Sequence, residues 1–287
     1  MGINSSKGGY SAKEYIYCDL AQPVVKVSNT ASSGKTKLKW SKVSGAKKYY
    51  VYRATSKTGK YTKIKSTTGT SFTDSDATIG KTYYYKVKAI ASTSSANSAY
   101  SQILKSKRIC AQPDLVVKIS SSTGKPSLSW DKVSGAEKYK VYRATSKNGT
   151  YKLIKTTTST SYKDTSAKVN KDYWYRVDVV GKKDGTDSKR EDPIKVHTTC
   201  AKPSVSIKLS SNKPKVSWKA VDGATKYYVY RATSKSGKYT KVKTTTSTSY
   251  TDKTAKKGKT YYYKVKAVAS SSSGNSAYSS VVKIKSK

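Results

Sequence analysis

The same succession of residues is spelled three times along this chain. The first copy runs Leu38-Lys39-Trp40-Ser41-Lys42-Val43-Ser44-Gly45-Ala46, then Tyr49-Tyr50-Val51-Tyr52-Arg53-Ala54-Thr55-Ser56-Lys57. Trp40, Trp130 and Trp218 open the three copies, 90 and then 88 residues apart. Tyr-Arg-Ala-Thr-Ser-Lys recurs from positions 52, 142 and 230, and an aromatic triplet recurs as Tyr83-Tyr84-Tyr85, Tyr173-Trp174-Tyr175 and Tyr261-Tyr262-Tyr263. A solenoid unit is 20 to 50 residues long, so a period of this length is a whole small domain. The chain therefore reads as three modules, residues 21–110, 111–200 and 201–287, each long enough to bury one core.

Composition says what those cores are made of. The chain has one Phe and one Met against 26 Tyr and 4 Trp, so Tyr and Trp must fill the aromatic part, beside Val and Ile. That is a β-sheet vocabulary. The local pattern has period two: Lys37-Leu38-Lys39-Trp40, Tyr61-Thr62-Lys63-Ile64-Lys65 and Tyr85-Lys86-Val87-Lys88-Ala89 put apolar residues on one face and lysines on the other. Ser44-Gly45-Ala46, Lys57-Thr58-Gly59-Lys60 and Ile79-Gly80-Lys81 are turns between such strands. The expectation is about seven strands per module with no helix, closed as a two-sheet antiparallel sandwich.

Leu-x-Trp, then Val-Ser-Gly-Ala-x-x-Tyr-x-Val-Tyr-Arg, then Gly-Lys-Thr-Tyr-x-Tyr-x-Val-x-Ala resembles the fibronectin type III domain, in the form found as arrays in secreted and surface proteins of Gram-positive bacteria. The resemblance covers all three modules. It implies an immunoglobulin-like all-β fold, with Trp40, Trp130 and Trp218 as core residues of the second strand. It also puts Tyr83, Tyr173 and Tyr261 at the family's tyrosine corner. The integrin-binding Arg-Gly-Asp of some animal members is missing. The corresponding loops read Ser94-Ser95-Ala96-Asn97-Ser98 and Ser272-Ser273-Gly274-Asn275-Ser276. Tyr10-Ser11 stands as far before Ala21-Gln22-Pro23 as Tyr100-Ser101 does before Ala111-Gln112-Pro113. Within residues 1–20, the stretch from about Ser5 to Tyr17 is accordingly expected to be the last strand of a preceding module, in a segment of a longer array; the competing reading is a free strand that pairs with a neighbouring molecule's edge.

Catalysis needs convergent groups, and these are scarce. His197 is the one histidine; it falls on the last strand of the second module, and no nucleophile and acid recur beside it. Modules one and three carry two acids each, Asp74 and Asp76, Asp222 and Asp252, too few for a glycosidase pair within one module. Asp74, Asp164 and Asp252 recur in register after Thr-Ser-(Phe/Tyr)-x and read as turn formers. Asp184-Gly185-Thr186-Asp187 has part of the make-up of a calcium loop but lacks the spacing and ligand set of an EF-hand. No metal or cofactor is expected. Cys18, Cys110 and Cys200 fall one per module boundary. They read as small apolar plugs of the joints, with a cross-link to another chain as the competing use.

Charge supplies the remaining signal. Residues 21–110 carry 18 cations and 2 acids, residues 111–200 carry 18 and 10, and residues 201–287 carry 20 and 2. Lysines alternating outward on strands solvate the face and oppose edge pairing, yet that role does not require so large an excess. No stretch reaches the roughly 18 apolar residues of a membrane span, and no signal peptide begins the chain. The reading is a non-catalytic extracellular or cell-surface spacer or adhesive stalk in a larger bacterial protein, whose partners are that protein's other domains. The alternative is a basic module for anionic cell-wall polymer or glycan, teichoic acid or acidic glycan in particular, with nucleic acid not expected.

Overall fold

The computed structural model describes residues 19–190 and 192–287. Among them are strands in three sets of seven, two short 3-10 turns and no α-helix. The first set is β1 (Val25–Asn29), β2 (Thr36–Trp40), β3 (Lys48–Ala54), β4 (Thr62–Thr67), β5 (Ser71–Asp74), β6 (Thr82–Ile90) and β7 (Leu104–Lys107). It forms a three-stranded sheet in the order β1-β2-β5 and a four-stranded sheet in the order β4-β3-β6-β7. All these strand pairs are antiparallel.

The second set is β8 (Val116–Ile119), β9 (Pro126–Ser129), β10 (Ala136–Ala144), β11 (Lys152–Thr157), β12 (Ser161–Lys163), β13 (Asp172–Gly181) and β14 (Ile194–His197). The third is β15 (Val205–Ser210), β16 (Lys213–Trp218), β17 (Lys226–Ala232), β18 (Thr240–Thr245), β19 (Ser249–Thr251), β20 (Thr260–Val268) and β21 (Val282–Lys285). Both repeat the first topology: sheets β12-β9-β8 and β11-β10-β13-β14, then β15-β16-β19 and β18-β17-β20-β21. The chain is thus all-β, three tandem immunoglobulin-like sandwiches, as the strand pattern predicts.

The alternation in the sequence becomes burial. Along β6 every second residue is buried, from Tyr83 through Tyr85 and Val87 to Ala89, while Tyr84, Lys86 and Lys88 stand on the other face. The first core gathers Leu38, Trp40, Tyr49, Val51, Tyr85 and Val87. The third gathers their counterparts Val216, Trp218, Tyr227, Val229, Tyr263 and Val265. β3 slips register against β4 between Val51 and Tyr52, and β10 and β17 slip at the same place. Such a bulge raises the local twist and re-aims the side chains that follow it. Contacts divide the chain into two compact units, one ending at Ile109 and one spanning Cys110–Lys287, which holds the second and third sandwiches.

Candidate functional site

Three constellations recur from copy to copy, and their chemistry decides what the surface is left to do. The first is buried. Asp74, at the end of β5, has almost no exposed surface. Arg53 Nη1 donates to its Oδ1 at 3.0 Å and Oδ2 at 2.8 Å, and Tyr85 Oη donates to Oδ2 at 2.8 Å. The Asp76 and Ala77 N–H groups donate to Oδ1. Arg143, Asp164 and Tyr175 repeat the arrangement, as do Arg231, Asp252 and Tyr263. Burial pushes each carboxyl up, but the hydrogen bonds and guanidinium charge outweigh it and hold all three below the ordinary aspartate value. The Asp turn read from sequence is there, since Asp76, Ser166 and Thr254 N–H groups bond their Asp. What sequence reasoning missed is the buried ion pair. A signal for it existed: Arg53 and Asp74, Arg143 and Asp164, and Arg231 and Asp252 keep the same separation of 21 residues.

The aromatic landmarks are all interior. Trp40, Trp130 and Trp218 are buried, the first and last closing β2 and β16, and each packs on a neighbouring Tyr at 5.3–5.4 Å between ring centroids. The Tyr83 hydroxyl accepts from the Thr78 N–H at 3.3 Å, Tyr173 from Lys168 at 3.2 Å and Tyr261 from Lys256 at 3.0 Å. The Ser-rich loops after β6 and β20 are structural seals. Ser98 and Ser101 hydroxyls accept from the Ala89 and Val87 N–H groups, and Ser276 and Ser279 do the same for Ala267 and Val265.

Cys110 and Cys200 are fully buried and unpaired, and burial raises both thiols. Their N–H groups donate to Thr186 O and Gly274 O at 2.8 Å. The equivalent bond in the first sandwich comes from Leu20, to Ala96 O at 3.0 Å, so the plug there is Leu20. Cys18 lies outside the described residues, as does the strand expected in residues 5–17. A thiol with no exposed surface is out of reach of another chain while the sandwich stays folded, which speaks against a cross-link at Cys110 and Cys200.

Within the second unit the joint between its two sandwiches is tight. His197, on β14, is half-buried: Nδ1 lies 2.7 Å from Asp172 Oδ1, and Nε2 lies 3.2 Å from both Asn170 Oδ1 and Ser273 Oγ of the third sandwich. Asn170 Nδ2 donates to Ser270 Oγ at 2.8 Å. Asp172, His197 and the Ser273 hydroxyl therefore lie in the order of an acid, an imidazole and a hydroxyl, a juxtaposition across two sandwiches that the sequence reading did not find, with Asn170 Oδ1 competing for the nitrogen that faces Ser273. In the Asp184-Gly185-Thr186-Asp187 loop, Asp187 Oδ1 accepts from the Gly181 N–H at 3.0 Å. Among the described residues no three His, Cys, Asp or Glu side chains gather as a metal site.

The third constellation is on the surface, on the outer face of the four-stranded sheets. Lys86 Nζ sits between two rings, 4.4 Å from the centroid of Tyr61 and 3.8 Å from that of Tyr100. Lys88 covers Tyr100 at 5.2 Å, and Lys63 covers Tyr50 at 4.4 Å. The third sandwich reproduces this: Lys264 lies 4.3 Å from Tyr239 and 4.0 Å from Tyr278, and Lys241 lies 4.4 Å from Tyr228. Burial, then a hydrogen bond with Tyr100, pushes the Tyr52 phenol up to about 12. The same causes, with Tyr278 as partner, push Tyr230 up to about 12. These two phenols therefore stay neutral beside the ammonium groups. The second sandwich breaks the pattern: Arg176, Asp178, Arg190, Lys140 and Leu153 stand where the first has Lys86, Lys88, Tyr100, Tyr50 and Lys63.

Tandem sandwiches with this strand order, interior Trp and tyrosine corner define the immunoglobulin-like class of β-sandwich modules. The chain belongs to the fibronectin type III family. Residues 24–108 match the family model described as "Fibronectin type III domain SaeA third domain". A 75-residue stretch is 41% identical to an amylopullulanase of Thermoanaerobacterium saccharolyticum, covering 25% of this chain and 6% of that protein. A 70-residue stretch is 40% identical to the amylopullulanase of Thermoanaerobacter thermohydrosulfuricus, covering 24% and 5%. The chain therefore spans a small fraction of the length of these relatives. Among solved structures, an Fn3-like protein from Clostridium thermocellum is 35% identical, covering 31% of this chain and 94% of that one, at a TM-score of 0.28. The FN1–FN3 domains of chicken CNTN1 are 17% identical, covering 93% and 99%, at a TM-score of 0.30. Fibronectin type III modules are generally non-catalytic parts of larger proteins, and no helix among the described residues is long and apolar enough to cross a membrane.

Proposed function

We propose that this chain is a spacer segment of a larger extracellular bacterial protein, working mechanically rather than chemically. One observation carries the reading: what recurs in all three copies is core, turn and buried ion pair, and no nucleophile–base set recurs with them. The likeness to short stretches of two amylopullulanases supports placement beside other domains in such a protein. Pro23, Pro113 and Pro203 stand at the entry to each sandwich; their fixed φ and missing donor limit bending there. The domain limits 21–110, 111–200 and 201–287 are part of the proposal. Two measurements test it. Incubated with starch or pullulan, the purified chain is expected to release no reducing sugar, and release would overturn the non-catalytic role. Cell fractionation with an antibody to the chain should find it outside the cell, and recovery from the cytosol would overturn the location.

A further inference from the structure

From the Lys–Tyr faces of the first and third sandwiches, we infer that this chain binds a linear phosphodiester polymer with polyol links, and that the second sandwich takes no part. A free lysine side chain loses rotamer freedom when an anion fixes it. Lys86 and Lys264 have already given up much of it, because each ammonium is lodged between two Tyr rings. An anion arriving there meets preorganised donors and avoids part of the usual ordering cost. Lys48, Lys63 and Lys88 surround the first site, and Lys226, Lys241 and Lys266 the third.

The face also says what the ligand is not. The rings of Tyr50, Tyr61 and Tyr100 are covered by ammonium groups, so they offer no free platform for bases, as single-strand binders do, or for the flat face of a sugar ring. Arg53 and Arg231, whose planar fork would suit a carboxylate, are committed to their buried aspartates. Recognition falls to lysine as a point charge, which suits a phosphodiester met in any orientation. Of the two acids in residues 21–110, Asp74 is buried, so little negative charge offsets the face.

The second sandwich serves as an internal control. Arg176 occupies the position of Lys86, 4.5 Å from Tyr151 and 4.9 Å from Tyr142. Its neighbour Asp178 lies 3.8 Å away and puts a carboxylate where the first and third faces have Lys88 and Lys266. Leu153, half-exposed, replaces Lys63.

The test titrates the full chain with poly(glycerol phosphate), sodium polygalacturonate and oligo(dT) of matched charge, at several salt concentrations. The expected result is tightest binding to poly(glycerol phosphate), weaker binding to oligo(dT) and polygalacturonate, and a steep fall with salt. The double variant K86Q/K264Q is expected to bind about tenfold more weakly, with a log–log salt slope lower by roughly 0.7 per lost contact. Y100S/Y278S, which leaves the net charge unchanged, should also bind several-fold more weakly, whereas K152Q/K155Q in the second sandwich should bind like the parent. Four outcomes overturn the inference: no binding to poly(glycerol phosphate), equal or tighter binding to oligo(dT), equal or tighter binding to polygalacturonate, or an equal loss in K152Q/K155Q, which would mean that only total charge matters.

Discussion

At the scale of single residues, the most consequential are Asp74, Asp164 and Asp252. Removing one partner of a buried ion pair leaves the other charged and unpaired, at a cost of about 3 kcal/mol or more. Asp252→Ala is expected to destabilise the third sandwich by that order, read as a lower denaturant midpoint, because Arg231 and the Tyr263 hydroxyl both lose their acceptor. The pH dependence follows from the direction of the shifts. Each folded carboxyl titrates below its ordinary value of about 4. Its contribution is therefore complete above the unfolded value and is lost as pH falls through the folded one. Stability should decline on acidification below about pH 4, and Asp252→Asn should flatten that decline for the third sandwich. A variant with the parent's acid profile would contradict this assignment. The Trp and Tyr landmarks were legible in the sequence because strand periodicity marks an inward face directly. The role of Asp74 was not, because a turn aspartate and a buried, ion-paired one look alike until the fold brings Arg53 across from β3.

Strands and turns were the most legible level, since alternation of Leu38 and Trp40 with Lys37 and Lys39 names both the strand and its buried face. Joints were the least legible. The Gly223 turn illustrates why. Its φ is +74°, and a Cβ there would lie 2.2 Å from Val169 Cγ2 of the second sandwich. Gly258 has a similar φ of +78°, but a Cβ there would meet nothing within 4 Å. Both glycines are needed for backbone reasons, at about 1–2 kcal/mol for an L-residue, but only Gly223 also answers to a neighbouring sandwich. Gly223→Ala is therefore expected to cost more stability than Gly258→Ala in denaturant unfolding of the full chain. Equal losses would mean that the joint yields without resistance. His197 shows the same limit: sequence places it on a surface strand, while the contact with Ser273 depends on how two sandwiches meet. Leu20 in place of a cysteine plug is different: the register of Leu20-Ala21, Cys110-Ala111 and Cys200-Ala201 already shows it in the sequence, and the three backbone bonds agree.

Across the whole molecule, the recurring residues explain why the chain folds, and the residues that fail to recur explain how the copies differ. The acids Asp178, Asp184, Asp187 and Asp192 belong to the second copy alone, and with them the surface character changes. On the proposed role, three similar sandwiches, each with its own core and ion pair, act as mechanical elements in series. Stretching a single molecule of residues 1–287 between its ends separates this role from that of one fused body. Three separate unfolding steps are predicted, each releasing about 90 residues, or roughly 300 Å of extended chain. One long step, or a short step followed by one of double length, would contradict independent mechanical elements.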